Sequence, residues 1–186
     1  MKIKFLLITG PSGVGKSVVI SELKNIDERF VYISPYMTRP LRKYEFDKIS
    51  ISESKLRDME RNGDFLVVNE LYGVLYGTPK FSINNAFEKK QFPLIDWPIS
   101  RTSIMEKNFP NQLFTTYLEP PSIECLHKRL KGRNNSQKRF EEGKIEIDDL
   151  NAGKFNGIID LKIISKDNAI IPIANEIYKE YLKNNL

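Results

Sequence analysis

The sequence has little of the chemistry that builds disulfide frameworks and zinc sites. Its 186 residues include one cysteine, Cys125, and one histidine, His127. A lone cysteine excludes an internal disulfide, and the two residues together are too few for a four-ligand zinc site. We therefore exclude the disulfide-stapled and zinc-stabilised classes of small protein, and we expect His127 to lie on the surface of a helix.

Long hydrophobic runs are absent as well. No apolar stretch approaches the roughly 20 residues that a membrane-spanning helix needs. The N-terminus enters a predicted strand directly, without the cleavage region of a signal peptide. We therefore expect a cytoplasmic protein with no membrane partner, whose 40% of hydrophobic residues can fill the core of one large domain.

The charge balance is moderately basic. A net charge of +5 would suit a protein that binds nucleic acid. However, many of the basic residues stand beside glycines or in two strongly polar segments, where a small phosphorylated ligand would use them. We expect such a ligand rather than nucleic acid as the partner, and a monomer or homodimer.

The most informative stretch of the chain follows the phosphate-loop pattern G-x-x-x-x-G-K-[ST] at every defined position. An apolar run of strand length precedes it, and a segment with helical spacing follows it. Inward-turned amides and the start of a helix form a cradle for anions. The residues expected to bind ATP are Pro11, Ser12, Gly13, Val14, Gly15, Lys16 and Ser17. Lys16 would reach the β- and γ-phosphates, and the Ser17 hydroxyl would ligate Mg²⁺.

Strand-like and helix-like segments alternate along the chain. Strands are predicted at residues 5–9, 30–34, 92–96, 113–118 and 161–165. Helices are predicted at residues 100–108, 122–130 with Ser122 as N-cap, and 171–182. This alternation predicts an α/β fold with a parallel sheet and helices on both faces.

Two segments interrupt the alternation. Residues 35–80 contain short strand-like pieces at 48–52 and 65–69 and a helix over about 53–62, and they predict a small inserted subdomain. Residues 131–147 are strongly polar and predict a mobile lid.

A phosphate loop is compatible with a kinase, a GTPase or an ATPase. A guanine-reading N-K-x-D motif is absent, which argues against a GTPase, whereas Asp96 at the end of an apolar run keeps an ATPase open. A kinase with a phosphorylated acceptor must hold two sets of phosphates together, which requires several arginines and the exclusion of water. The two polar segments supply the arginines Arg39, Arg42, Arg133 and Arg139.

The chain also resembles the guanylate kinase family. Residues 36–45 are similar to the family's T-R-x-x-R-x-x-E signature, and residues 62–66 with 73–79 are similar to its G-x-F-L and G-x-Y-Y-G-T-P stretches. Residues 120–122 and 129–133 are similar to its P-P-S and R-L-x-x-R element. With the phosphate loop, the resemblance covers nearly the whole chain.

The resemblance implies a P-loop NTPase three-layer fold in three parts. These are a core at residues 1–34 and 81–186, an acceptor-binding subdomain at 35–80, and a short lid at 131–147. It implies ATP and Mg²⁺ as cofactors and transfer of a γ-phosphoryl group to a nucleoside monophosphate, with GMP first among the acceptors.

The resemblance also implies roles for individual residues outside the loop. Arg39 and Arg42 would clamp the acceptor's phosphate, because a planar guanidinium suits a phosphate. Arg133 and Arg139 would come in with the lid and stabilise the transferring group. The acceptor site would further include Glu45, Tyr76, Thr78, which matches a residue that touches the base, and Asp96, which would orient a metal-bound water or an acceptor group.

The sequence departs from the family in the acceptor half. Val67 and Val68 stand where guanylate kinases carry a guanine-reading glutamate and its neighbour, and Glu70 points to the other face of a strand. The family's D-Y-x-F tyrosine is missing from residues 48–51, and Asp96 matches only one aspartate of a D-x-D pair.

Alternatives therefore remain. The segments 36–39 and 49–53 resemble ribosyl-bisphosphate phosphokinases, which would use another phosphorylated small molecule. The other two alternatives are a non-catalytic guanylate-kinase-like module, and a nucleic-acid-binding protein or kinase of polynucleotide ends. Trp97 could stack on an acceptor or lie in the core.

Overall fold

The structure is a computed structural model that describes residues 3–41, 43 and 47–185. Within these residues the strands are β1 (Phe5–Thr9), β2 (Phe30–Tyr32), β3 (Tyr36–Met37), β4 (Ile49–Ser50), β5 (Phe65–Leu71), β6 (Val74–Pro79), β7 (Phe92–Asp96), β8 (Leu113–Glu119) and β9 (Leu161–Ile164). The helices are α1 (Lys16–Ile26), α2 (Glu53–Arg61), α3 (Lys80–Glu88), α4 (Thr102–Asn108), which follows a 3₁₀ turn (Ile99–Arg101), α5 (Ile123–Leu130), α6 (Ser136–Asn151) and α7 (Ile170–Asn185).

A parallel sheet carries the first part of the fold. Its strand order is β2-β7-β1-β8-β9, and β1 pairs in parallel with both β7 and β8. All five residues of β1 are buried, as the unbroken apolar run of a central parallel strand requires. The predicted α/β class with a parallel central sheet is confirmed.

The chain contacts divide the molecule into two compact units, residues 1–30 with 94–186 and residues 31–93. The second unit is wider than the predicted 35–80, because it takes in β2 residues 31–32 and helix α3. Its own sheet has the order β4-β3-β6-β5 and a core of Leu56, Phe65 and Leu75 under α2. Gly77 is required there, since a Cβ on it would lie 2.7 Å from the Phe65 ring.

The predicted elements agree with the structure at most places. Strands β1 and β7 have the predicted bounds, while β2 ends at Tyr32 and β9 at Ile164. Ser122 caps α5 by accepting a hydrogen bond from the Cys125 amide, as predicted. His127 is exposed on α5, also as predicted, with its ring centroid 4.8 Å from that of Phe140.

Two helices were not predicted. Helix α3 follows Pro79, and α6 occupies most of the polar segment that was expected to be a lid. Helix α6 packs against α5, with Phe140 and Ile147 against Leu126 and Leu130. No helix within the described ranges has the length and apolar character needed to cross a bilayer.

An ion-pair cluster joins the end of α1 to α7. Asp27 caps α1 and accepts hydrogen bonds from the Arg29 side chain, the closest at 2.6 Å, and from the Tyr178 hydroxyl at 3.0 Å. The hydrogen bond from Arg29 is the main cause that lowers the pKa of Asp27 to about 2. The folded state therefore favours the ionised carboxylate.

We expect Asp27→Asn to lower the free energy of unfolding at pH 7. Because the pKa is lowered on folding, this contribution is complete above the unfolded value of about 4 and is lost as the pH falls toward 2. Urea denaturation from pH 7 to pH 2 should show the difference between wild type and variant shrinking below about pH 4. The exposed neighbour change Glu28→Gln serves as control, and a difference that stays constant with pH would contradict the assignment.

Candidate functional site

The loop between β1 and α1 has the geometry of an anion cradle. Gly10, Gly13 and Gly15 all have positive φ values, of 122°, 90° and 111°. At Gly10 no other residue fits, because a Cβ would lie 2.3 Å from the Leu118 carbonyl oxygen. Helix α1 begins directly at Lys16, and its first turn has no acidic residue. The helix N-terminus is therefore open to an anion.

Lys16 lies folded over the start of the loop. Its ammonium donates to the Gly10 carbonyl at 2.6 Å and to the Pro11 carbonyl at 3.0 Å. The cation is thus held at the loop by two backbone oxygens. Ser17, in the first turn of α1, is exposed, so its hydroxyl is accessible to a ligand or metal ion.

Side chains from two other elements hold the middle of the loop. The Val14 carbonyl accepts hydrogen bonds from Ser165 Oγ at 2.6 Å and from Arg129 Nη1 at 3.2 Å. Arg129 also donates to the Ser165 carbonyl at 2.8 Å and pairs with Asp167 at 2.6 Å. Arg129 therefore connects α5, the loop and the segment after β9.

Helix α6 contributes a further contact. Arg139 donates from Nη1 to Ser12 Oγ at 2.9 Å and from Nε to the Asn134 carbonyl at 2.9 Å. Gly143, one turn on, faces the loop, since a Cβ there would lie 3.2 Å from the Pro11 Cβ. Of the two predicted lid arginines, the structure brings Arg139 to the loop, while Arg133 is an exposed side chain after α5.

A carboxylate on the same helix was not predicted. Glu146 accepts a hydrogen bond from the Tyr117 hydroxyl at 3.1 Å, and Tyr117 is fully buried on β8. Burial raises the pKa of Glu146, while the positive charge of Lys16 and the hydrogen bond from Tyr117 oppose the rise. Burial likewise raises the pKa of the Tyr117 hydroxyl.

Asp96 and Trp97 lie at the end of β7. Asp96 is in register with Ile8 of β1, two residues before the loop begins, and its side chain is half-buried. Trp97 is 3% exposed and donates from Nε1 to the Arg101 carbonyl at 3.0 Å. The core alternative for Trp97 is therefore correct.

In the second unit, two predicted acceptor-binding residues meet. Arg39 follows β3, and its Nε lies 3.4 Å from the Tyr76 hydroxyl. Its backbone is fixed too, because Ser50 Oγ donates to the Arg39 carbonyl at 2.8 Å. Arg42 and Glu45, predicted for the same site, lie outside the described residues.

The register of β5 and β6 sorts the remaining candidates onto two faces. Val67 is directly opposite Thr78, and Asn69 is opposite Tyr76, so these four share one face. Glu70 is opposite the core residue Leu75 and therefore lies on the other face, as the sequence analysis predicted. Val68 packs against that same core. Position 67 is thus an apolar position beside a buried threonine.

Several residues at these sites were missed by sequence reasoning. Arg129 and Ser165 bond the loop, Glu146 and Tyr117 bond each other, and buried Asn69 shares the Tyr76 face, but none of these roles was predicted. A usable signal existed for Arg129, the first residue of the R-L-x-x-R element, and for α6, where Phe140, Gly143 and Ile147 recur at helical spacing and predict a helix with one buried face. The other contacts join residues distant in sequence and carry no local pattern.

A phosphate loop between the central strand of a parallel sheet and a helix defines the P-loop class of nucleotide-binding proteins, which includes kinases, GTPases and ATPases. Solved structures support the fold. A guanylate kinase from Anaplasma phagocytophilum aligns with a TM-score of 0.77 at 20% identity, covering 99% of this chain and 87% of that one. A shikimate kinase from Acinetobacter baumannii aligns with a TM-score of 0.51 at 14% identity, covering 99% and 96%.

The sequence comparisons narrow the class. The family model described as guanylate kinase matches residues 2–165. A guanylate kinase of Prochlorococcus marinus is 34% identical over 137 residues, which are 72% of this chain and 74% of the relative. One of Clostridioides difficile is 32% identical over 143 residues, 73% and 69%. The chain belongs to the guanylate kinase family, and the predicted enzyme class, a phosphotransferase of the nucleoside monophosphate kinase type, is confirmed.

We expect Arg129→Ala to lower the free energy of unfolding by about 2 kcal/mol, because it leaves the buried Val14 and Ser165 carbonyls short of a charged donor. It should also weaken nucleotide binding, since the loop loses a support. Chemical denaturation and nucleotide titration measure the two effects. Lys128→Ala, an exposed neighbour on α5, is the matched control; equal stability of the two variants would show that Arg129 does not support the loop.

Proposed function

We propose that this chain transfers the γ-phosphoryl group of ATP to a nucleoside monophosphate, with Mg²⁺, and that GMP is its acceptor. The observation that carries the proposal is the loop at residues 10–17 in a chain of the guanylate kinase family. The Lys16 ammonium lies at this loop, and the N-terminus of α1 follows it without an acidic residue in the first turn. The relatives reported above carry the name guanylate kinase, which supports GMP.

On the donor side, the loop amides and Lys16 bind the triphosphate. Lys16 exchanges its two carbonyl partners for the β- and γ-phosphate oxygens, which carry more negative charge. The accessible Ser17 hydroxyl suits Mg²⁺, which retains waters and phosphate oxygens rather than a cage of protein carboxylates. When bound, this ion would neutralise charge on the phosphates.

On the acceptor side, Arg39 binds the acceptor's phosphate with the help of the Tyr76 hydroxyl. Arg39 and Tyr76 are already in contact, which reduces the entropic cost of ordering these side chains when the ligand binds. Arg139, and Arg133 with it, stabilises charge on the transferring group. Catalysis then consists of positioning and electrostatic stabilisation, without a covalent intermediate.

A second candidate acceptor is a phosphorylated small molecule without guanine, such as a ribosyl bisphosphate. Val67, opposite Thr78, favours it, because a valine offers no acceptor to the N1 and N2 donors of guanine. Each donor left unpaired in a buried site costs about 1–3 kcal/mol.

An acceptor panel separates the candidates. The protein is incubated with ATP and Mg²⁺ and with GMP, dGMP, AMP, CMP, UMP, dTMP or ribosyl bisphosphate, and ADP release is compared with a blank without acceptor. We expect the largest stimulation by GMP. Stimulation by ribosyl bisphosphate alone would establish the second candidate, and no stimulation by any acceptor would refute both.

Lys16→Met should reduce turnover with the best acceptor by about 100-fold or more, because it removes a cation from the transferring group. Lys24→Met, on the exposed side of the same helix, removes the same charge away from the loop and should leave turnover near the wild-type value. ADP release under saturating ATP measures both. Unchanged turnover in Lys16→Met would contradict the proposed donor site.

Val67→Glu should raise kcat/KM for GMP by about 10-fold, since a carboxylate at this position accepts the guanine donors. The gain should be absent for AMP, whose base lacks these donors. Val67→Met, of similar length but without an acceptor oxygen, is the size control. If GMP use does not rise in Val67→Glu, the base of the acceptor does not lie against β5.

A further inference from the structure

One face of helix α6 lies beside the phosphate loop. Arg139, Gly143 and Glu146 are spaced three and four apart and so share one face of the helix. Arg139 contacts Ser12, Gly143 faces Pro11, and Glu146 is bonded to Tyr117, which pairs with Thr9 just before the loop. Glu146 is therefore one turn of α6 beyond Gly143, the residue that faces Pro11, and lies on the same face of the helix.

Lys16 rests at the same end of the loop as Glu146. The ammonium is bonded to the carbonyls of Gly10 and Pro11, the two residues after Thr9. The Lys16 charge also acts directly on Glu146, because it opposes the rise in the pKa of that carboxyl. A carboxylate this close to a phosphate site repels phosphate unless its charge is used by a neighbouring cation.

Glu146 is itself held in place. The Tyr117 hydroxyl donates to Glu146 Oε1 at 3.1 Å, and the Tyr117 ring is fixed in the core with Ile99 and Phe155. A charge fixed by a buried partner acts on a neighbour without having to be reoriented when a ligand binds.

We propose that Glu146 is a positioning residue for Lys16: anchored by Tyr117, it directs the ammonium to the start of the loop, where the phosphates enter. The inference rests on the proposed kinase activity. Under this proposal, α6 has a second role besides carrying Arg139: it orients Lys16, the residue on which phosphoryl transfer depends.

The test is a double-mutant cycle of Glu146→Gln and Lys16→Met. Because residues that act through one another are not additive, we expect Glu146→Gln to lower kcat by about 10-fold in wild type and to have no further effect in Lys16→Met. The KM for the acceptor should not change, since Glu146 lies on the donor side. Tyr117→Phe, which removes only the hydroxyl, should lower kcat by about 3-fold.

Glu142→Gln is the matched control, because it makes the same change at an exposed position of the same helix. If Glu146→Gln equals this control, or if its effect multiplies with that of Lys16→Met, the inference is wrong. Should Glu146→Gln fail to fold, Tyr117→Phe in the same cycle decides: wild-type kcat in Tyr117→Phe would also overturn it.

Failure of the proposed function gives a different result. In that case wild type itself transfers no phosphoryl group to any acceptor of the panel. The same variants are then compared by calorimetric titration with ATP and Mg²⁺, where we expect Glu146→Gln to bind about 10-fold more weakly than Glu142→Gln. Equal affinities of these two variants would refute the role of Glu146.

Discussion

The phosphate loop depends on the partners of three of its backbone carbonyls. Buried backbone oxygens without partners are costly, so the groups that donate to these carbonyls influence the shape of the loop. Lys16 serves Gly10 and Pro11, while Arg129 and Ser165 serve Val14. The shape of the cradle is therefore set by side chains from α1, α5 and the segment after β9.

Much of the fold could be predicted because its signals are local. Strand β1 is a mainly apolar run, and α5 can be predicted from its serine N-cap and its periodic apolar face. Helix α6 was missed because its many charged residues resemble an irregular surface segment, and its buried side depends on contacts with α5. Helix α3 was missed because a proline occupies its cap and supplies no side-chain signal.

The candidate site likewise contains residues that could be predicted from local signals and residues that could not. The loop residues were found because their spacing is imposed by local backbone geometry at Gly10 and Gly15. The pairing of Arg39 with Tyr76 came from family resemblance, since 37 residues separate them. Glu146 was missed because its partner Tyr117 lies on another element. Arg129 was matched only as the first residue of the R-L-x-x-R element, without a role, since Val14, whose carbonyl it serves, lies 115 residues away.

The hydrogen bonds of Lys16 influence which ligands the loop can bind. Its ammonium already donates to two backbone carbonyls. A ligand must therefore replace both hydrogen bonds with stronger ones before the lysine adds to the binding affinity. A polyphosphate would do so through its several charged oxygens, whereas a nucleoside would leave the lysine on its carbonyl partners. The loop would therefore discriminate first by the length of a phosphate chain and only afterwards by the base attached to it.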